Sequence, residues 1–119
     1  MNEKQILISQ WADKIVGEDR SLEGRLAKFT EEIEETKEIV TNGNLENPLI
    51  RRRLAEEVTD VIISGLDTLS VLGYDVDNLI FTTLDKMYKK YPSGYMDHLV
   101  TEGYTRAEAM KICKARWRG

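Results

Sequence analysis

The 119-residue sequence predicts an all-α protein. Apolar residues recur at three- and four-residue spacing along most of the chain, and capping and stop residues divide this pattern into segments of helical length. The apolar–polar alternation that is typical of strands does not extend over any useful length. Because 41% of the residues are hydrophobic and only two are proline, we expect one ordinary folded domain rather than a disordered chain.

A glycine and a serine mark the end of the first predicted helix and the start of the second. Residues 2–16 form the first helix, and Gly17 provides its stop. Ser21 can cap the second helix, which we expect to end at Asn42 and Gly43, because both tolerate left-handed backbone. The apolar stripes of these two helices are formed, in chain order, by Ile6, Leu7, Trp11, Ile15, Leu22, Leu26, Phe29, Ile33 and Val40.

The third and fourth predicted helices have clear start signals. Asn47 followed by Pro48 combines a capping side chain with the residue preferred at the first helical position, and Gly73 ends the third helix. Asp75 can cap the fourth helix. Their apolar stripes contain Leu54, Val58, Val61, Ile62, Leu66, Leu69, Leu72, Val76, Leu79, Ile80, Leu84, Met87 and Tyr91.

The last part of the chain is predicted to be a loop followed by one helix. Pro92, Ser93 and Gly94 form a helix-breaking sequence, so residues 92–104 are expected to be a loop. Thr105 and Glu108 have the spacing of a capping box for a final helix. We therefore expect a single domain over residues 1–119, with its core at about 20–95 and a C-terminal loop and helix at 96–119 as an extension.

Composition excludes several classes of protein. The net charge is −4 and the isoelectric point is near 5.1, so nucleic-acid binding is not expected. Cys113 and His98 are the only residues of their types, which excludes an internal disulfide and a cysteine-based zinc finger. No apolar run has the length of a membrane span, and residues 1–10 do not resemble a signal peptide. We expect a cytoplasmic protein without a membrane partner.

Acidic residues are concentrated in two short segments, 31–35 and 56–60. If the second and third helices form an antiparallel hairpin, Glu32 and Glu35 on one helix and Glu57 and Asp60 on the other are offset from their apolar stripes in the same direction. Same-sign offsets place all four carboxylates on one side of the helix pair, at heights that differ by about one turn. The sequence therefore predicts that four carboxylates converge beside the core.

Such a cluster is unfavourable without a cation, because like charges repel and partial burial raises the cost. Mg²⁺ would relieve this repulsion, since it prefers carboxylate oxygens and keeps water or phosphate as its remaining ligands. The competing interpretation is that both segments are solvated helix surfaces, which is the usual role of a glutamate-rich helix face.

The acidic segments also match the motif of a known family. The pattern E-x-x-E, a spacer, then E-x-x-D resembles the all-α nucleoside triphosphate pyrophosphohydrolases of the MazG-like group, which are related to dimeric dUTPases and phosphoribosyl-ATP pyrophosphohydrolase. Residues 84–92, with the sequence LDKMYKKYP, are similar to the basic stretch that precedes a proline in that family. The resemblance covers residues 22–95.

The resemblance implies a helical bundle completed by a homodimer or a tetramer of two dimers. It implies a hydrolase acting on acid anhydrides that cleaves (deoxy)nucleoside triphosphates to the monophosphate and pyrophosphate, in nucleotide-pool housecleaning. The cofactor would be Mg²⁺, for which Mn²⁺ could substitute. Its metal ligands would be Glu32, Glu35, Glu57 and Asp60.

The remaining roles follow from the same resemblance. Glu31 and Glu35 are the catalytic candidates, and Glu31 could either bind metal or orient the attacking water. Lys86, together with Lys89 or Lys90, would face the triphosphate as point charges. The sequence departs from the family at Thr59, where a small residue is usual, and in the second basic position, where lysine replaces the commoner arginine.

Several alternatives remain open. The first acidic segment offers a second register, Glu31 with Glu34, although Glu32 with Glu35 lies nearer the apolar stripe. The same fold could act on dUTP or on a phosphoribosyl-nucleotide, or the chain could be a non-catalytic helical interaction module. The arginines at 51–53 fit a solvated or subunit-pairing surface, with a phosphate contact as the sharper alternative. The basic residues near the end of the last helix, Lys111, Lys114, Arg116 and Arg118, suit a helix C-terminus and could contact an acidic partner.

Overall fold

The computed structural model describes residues 2–17 and 20–119, and in these residues all regular secondary structure is helical. The predicted all-α class is confirmed. In chain order the helices are α1 Glu3–Ile15, α2 Leu22–Asn42, α3 Pro48–Leu72, α4 Val76–Lys90, α5 Ser93–Thr101 and α6 Arg106–Arg116.

The predicted capping residues act as expected. The Ser21 hydroxyl accepts a hydrogen bond from the backbone N–H of Gly24 at the start of α2. Asn47 caps α3 by accepting from Leu49 N–H, with Pro48 at the first helical position. Gly73 ends α3 with a φ of 83°, in the left-handed region that favours glycine. These boundaries depend on contacts within a few residues, which is why the sequence predicted them.

Gly43 ends α2 as predicted, but for a different reason. Its φ is −97°, so the residue is extended rather than left-handed. A Cβ at this position would lie 2.6 Å from the carbonyl oxygen of Ile39 and 2.8 Å from a methyl group of Ile50. Glycine is required here because a side chain would meet both the last turn of α2 and Ile50 of α3, and not because of its dihedral freedom.

The prediction of a loop at 92–104 was wrong, because α5 occupies Ser93–Thr101. Pro92 precedes the helix and therefore starts it instead of breaking it. Met96 and Leu99, three residues apart on α5, are buried against Ala109 and Cys113 of α6. The helix is stabilised by this packing, which the local Pro-Ser-Gly sequence does not reveal. His98, expected in a loop, lies in α5 and is exposed there.

The chain divides into two compact units, Met1–Asp77 and Asn78–Gly119. In the first unit, α2 and α3 form a helical hairpin and α1 packs against α3. The second unit contains most of α4 and the α5–α6 pair, whose buried residues form a small apolar core. The boundary between the units lies within the stretch for which the sequence predicted a single core.

Buried polar side chains organise the first unit. The amide of Gln5, which is fully buried, accepts a hydrogen bond from Val76 N–H at 2.9 Å and donates to the carbonyl oxygen of Tyr74 at 2.8 Å. This side chain therefore fixes the start of α4 against α1. It also satisfies two backbone groups that would otherwise be unpaired.

An ion-pair network joins α3 to the segment before α2. Asp67 of α3, only 3% exposed, accepts from the Arg20 guanidinium at 2.6 Å and from Arg25 at 3.3 Å. Arg20 also pairs with Asp13 of α1 at 2.6 Å. Burial opposes the charge of Arg20, but hydrogen bonds and attraction from Asp67 and Asp13 outweigh it and raise the pKa of the guanidinium.

Large apolar side chains remain exposed along the helices. On α3, Val58 and Ile62 are exposed, and on α4, Phe81 is 76% exposed. An apolar groove of about 460 Å³ runs along α2 and α3, lined by residues that include Leu26, Phe29 and Ile62. In the part of the chain that the structure describes, no helix is both long enough and apolar enough to cross a membrane.

Candidate metal centre

Three glutamates from two helices converge in the first unit. Glu32 and Glu35 come from α2, and Glu57 comes from α3. Each offers a carboxylate oxygen, and these oxygens all lie within 4.8 Å of one another. A spacing of three residues places Glu32 and Glu35 on the same face of α2, and the α2–α3 hairpin brings Glu57 beside them.

Two of the carboxylates have oxygens that are buried and unpaired. Glu32 is 6% exposed, and its Oε1 accepts from the ammonium of Lys28, one turn earlier on α2, at 2.9 Å. Oε2 of Glu32 and Oε2 of Glu57 are both buried and have no hydrogen-bond partner among the described residues. Buried carboxylate oxygens are normally paired, so these two atoms are the candidate ligands for a cation in this cluster.

The charges at the cluster are mutually unfavourable. The pKa of Glu35 is raised, chiefly by the negative charge of Glu32, with further contributions from desolvation and from Glu57 and Glu31, while Lys28 opposes the shift. The pKa of Lys28 is raised, first by its hydrogen bond to Glu32. One lysine therefore only partly compensates three converging carboxylates.

A hard divalent cation fits this set of donors. The three residues supply only oxygen ligands, which is the chemistry that Mg²⁺, Ca²⁺ and Mn²⁺ prefer. A cation would pair the buried oxygens of Glu32 and Glu57 and relieve the repulsion on Glu35. Three carboxylates leave coordination positions that water or phosphate could fill in an octahedral site.

Asp60, the fourth predicted ligand, is not part of the group of three. It is exposed and lies one turn after Glu57 on α3. It lines a neighbouring cavity of about 260 Å³ together with Glu32, Lys28 and Arg25. Glu32 therefore belongs both to the glutamate cluster and to this cavity, whereas Asp60 belongs only to the cavity.

The structure distinguishes the two registers of the first acidic segment. Glu34 is exposed and pairs with Lys37 at 3.4 Å, so it points away from the α2–α3 contact. Glu31 is also exposed and lies 3.7 Å from Lys28, at the edge of the cluster. The pair Glu32 and Glu35 is the one that meets Glu57, in the register that lies nearer the apolar stripe.

On the other side of the cluster, Glu35 and Glu57 line a cleft of about 500 Å³ that reaches the α2–α3 turn. Arg53, one turn before Glu57 on α3, lines the same cleft. The preceding arginine, Arg52, instead pairs with Glu56 at 3.0 Å on the exposed surface. Among the arginines at 51–53, Arg53 is therefore the one placed beside the carboxylates, a distinction that the sequence alone did not provide.

The three predicted phosphate-binding lysines, Lys86, Lys89 and Lys90, lie on α4 in the second unit. Lys89 pairs with Asp85 at 2.9 Å, and the ammonium of Lys90 lies 5.6 Å from the ring centroid of Tyr91. Lys86 is exposed.

Comparison with known proteins does not identify a family. No protein-family model matches the chain, and neither a curated protein nor a solved structure matches it.

Proposed function

We propose that this protein is a Mg²⁺-dependent hydrolase that cleaves nucleoside triphosphates to the monophosphate and pyrophosphate. The observation that carries the proposal is the meeting of Glu32, Glu35 and Glu57 with two buried carboxylate oxygens left unpaired. The E-x-x-E and E-x-x-D spacing, by its resemblance to the MazG-like group, supplies the reaction.

In this proposal the glutamates have different roles. Glu32 and Glu57 hold the cation through their buried oxygens, and Glu35 completes the ligand set from the open side of the cluster. A bound Mg²⁺ supplies charge neutralisation at phosphate and a more acidic water. Glu31, or Glu35 with its raised pKa, accepts the proton of the attacking water at a carboxylate oxygen.

The phosphate chain requires cationic groups. Arg53 lies in the cleft next to Glu35 and Glu57, and its guanidinium can bind two phosphate oxygens at once. Lys86, Lys89 and Lys90 are proposed as further phosphate contacts from the family resemblance. Asp60 is proposed as a ligand that joins the site when substrate or a second cation is bound.

Self-association belongs to the same proposal. On α3, Val58 and Ile62 leave apolar surface exposed, and such surface is typical of an interface between copies of a chain. A second copy of the chain, packed on the apolar groove of α2 and α3, would bury it. Sedimentation equilibrium should show a dimer or tetramer, and Ile62→Glu should shift it towards the monomer.

The test of function combines metal binding with turnover. Melting temperature is measured against Mg²⁺ concentration with and without a non-hydrolysable triphosphate, and pyrophosphate release is measured with a panel of nucleoside triphosphates that includes dUTP. A ligand at 100 times its Kd should add about 2.7 kcal/mol of stability. We expect Glu57→Gln to abolish both the Mg²⁺ response and turnover.

Glu56→Gln is the matched control, because Glu56 is adjacent, carries the same charge and pairs with Arg52 on the surface. It should leave the Mg²⁺ response and turnover unchanged. If wild-type protein shows no Mg²⁺-linked stabilisation, or if both variants behave alike, the metal site does not exist. The acidic segments are then surface features of an interaction module.

A further inference from the structure

A second polar cleft lies in the Asn78–Gly119 unit, away from the glutamates in sequence. It has a volume of about 190 Å³ and is formed by the end of α4, the start of α5 and the end of α6. Its lining includes the cationic side chains Lys89, Lys90 and Arg116 and the aromatic side chains Tyr95 and Trp117. No acidic residue lines the cleft, in a unit whose residues are all described.

The guanidinium of Arg116 makes two contacts with Tyr95. It lies over the ring of Tyr95, 4.7 Å from the centroid, and donates a hydrogen bond to the Tyr95 hydroxyl. A guanidinium has five N–H donors, so most of them remain available after this contact. Because these contacts restrict the side chain, an anion that binds it loses less conformational entropy than one that must order an arginine without them.

The backbone around the cleft is also well anchored. Met96 and Leu99 of α5 pack on Ala109 and Cys113 of α6, so the two helices that carry Tyr95 and Arg116 share one core. A capping box at Thr105 fixes the start of α6. The cleft is therefore built on packed helices rather than on loops, which favours a preformed binding site.

The charge and size of the cleft indicate which kind of ligand it could bind. Residues 78–119 contain eight basic and four acidic side chains, and three of the basic ones line this cleft. Lys89 has one carboxylate neighbour, Asp85, whereas Lys90 and Arg116 contact aromatic rings. A volume of about 190 Å³ is below the range of about 300–1,000 Å³ typical of pockets for whole drug-sized ligands. It suits a single phosphate-sized anion better than a complete nucleotide.

We propose that this cleft is a phosphate-binding site, in which Arg116 and Lys90 bind the oxygens of a phosphate group and Trp117 covers one side. The ligand is either a free phosphate or pyrophosphate ion or the terminal phosphate of a small ester. The site requires no metal, and Arg116 and Trp117 take no part in the proposed hydrolase centre. Lys90 is also a proposed phosphate contact of the hydrolase, so the test that separates the two proposals rests on Arg116 and is made without metal.

Trp117 provides a direct reporter. The chain has two tryptophans, so Trp11→Phe leaves Trp117 as the only one. In this background the 119-residue protein, kept in EDTA at constant ionic strength, is titrated with pyrophosphate in one series and with ribose 5-phosphate in another. We expect a saturable change in Trp117 fluorescence, and Arg116→Gln should weaken binding at least about tenfold, since it removes a charge-assisted contact. Circular dichroism checks that each variant keeps its helical content.

Lys111→Gln is the matched control, because Lys111 lies on α6, is exposed and does not line the cleft. It should bind like the parent. Saturation by pyrophosphate alone identifies the free ion as the ligand, and saturation by both probes identifies a phosphate ester as well. The proposal is overturned if neither probe saturates by about 10 mM, or if Arg116→Gln and Lys111→Gln bind equally. Should Arg116→Gln lose helical content, Arg116→Lys and Lys90→Gln provide the comparison, and equal binding by both and the parent also overturns it.

Discussion

The two units of the chain carry opposite charge. Residues 1–77 contain 17 acidic and nine basic side chains, a net charge of −8, whereas residues 78–119 contain four and eight, a net charge of +4. The overall charge of −4 therefore hides a strong division along the sequence. Each unit also contains a group of side chains with the same sign of charge as the unit. Three glutamates meet in the first unit, and lysine and arginine side chains line a cleft in the second. One chain can thus attract cations and anions to separate places.

The units also differ in what holds them together. The buried residues of the first unit include the polar side chains Gln5, Glu32 and Asp67, whose partners are backbone groups, a lysine and two arginines. The second unit is held by a small apolar cluster around Leu99. Buried polar networks depend on complete pairing, whereas apolar cores depend on filled volume. The two units should therefore respond to different kinds of substitution.

The largest effect is expected at the ion-pair network of the first unit. Asp67→Asn removes the buried counter-charge that Arg20 and Arg25 share and leaves Arg20 only its exposed partner Asp13. Breaking a buried ion pair in this way typically costs about 3–5 kcal/mol, so the free energy of unfolding in urea should fall by about that amount. Asp13→Asn removes the exposed partner of the same arginine and should cost less than about 1 kcal/mol. Equal losses in the two variants would contradict the assignment of Asp67 as the central group.

The second unit should be most sensitive to loss of volume. Leu99→Ala removes a side chain that is 5% exposed and packs in the apolar core. The expected loss is about 2–4 kcal/mol, because the cavity cannot close completely. Met110→Ala, on the exposed side of α6, should cost less than about 1 kcal/mol by the same urea titration. A small effect at Leu99 would show that α5 is not held by this core.

A smaller effect is expected at the capping box of α6. The Thr105 hydroxyl accepts from Glu108 N–H at 3.1 Å, and the Glu108 carboxylate accepts from Thr105 N–H at 2.9 Å. Thr105→Ala should cost about 1 kcal/mol, the usual loss for a capping threonine. Thr101→Ala, at an exposed threonine of α5, serves as a control. Helical content followed through urea unfolding measures both, and an unchanged midpoint for Thr105→Ala would contradict the role of the cap.

The smallest expected effect is on the pH dependence of the free energy of unfolding. Repulsion from Glu32 raises the pKa of Glu35, so the folded protein binds a proton more readily there than the unfolded chain does. Without metal, this contribution makes the protein more stable as pH falls through the folded pKa of Glu35. Glu35→Gln should remove that part of the pH dependence and stabilise the metal-free protein near neutral pH.

Glu108 should show the opposite sign. Its pKa is lowered, first by the backbone hydrogen bond from Thr105, so its contribution is present above the unfolded pKa and is lost as pH falls through the folded pKa. Urea titrations of wild type, Glu35→Gln and Glu108→Gln over a pH series separate the two contributions. If the two variants change the pH profile in the same direction, the electrostatic contrast between the units is wrong.

Several features of the fold could be predicted from the sequence because their causes are local. Ser21, Asn47 and Thr105 each cap a helix through backbone groups within three residues. The register of Glu32 and Glu35 followed from their position next to the apolar stripe. By contrast, α5 was missed, since Pro92 and Gly94 look like breakers and only burial of the helix against α6 reveals it.

The candidate site was predicted only in part. The four acidic residues lie to the same side of the apolar stripes of their helices, which predicted that carboxylates from α2 and α3 approach each other. The structure brings together three of them, Glu32, Glu35 and Glu57. It does not bring Asp60 into that group. Arg53 and the cleft beside Glu57 also emerged only from the structure. Whether these groups bind metal and phosphate stays a prediction.

By itself, the sequence determined the helical class, most helix ends and the division of charge, because each depends on residue type or on contacts within about one turn. Only the tertiary structure decided which carboxylates meet, which oxygens are left unpaired and where Arg116 and Lys90 share a cleft. These depend on how one helix is rotated and displaced against another. A rotation by one residue, about 100°, exchanges a buried side chain for an exposed one, and packing across the whole unit fixes that angle.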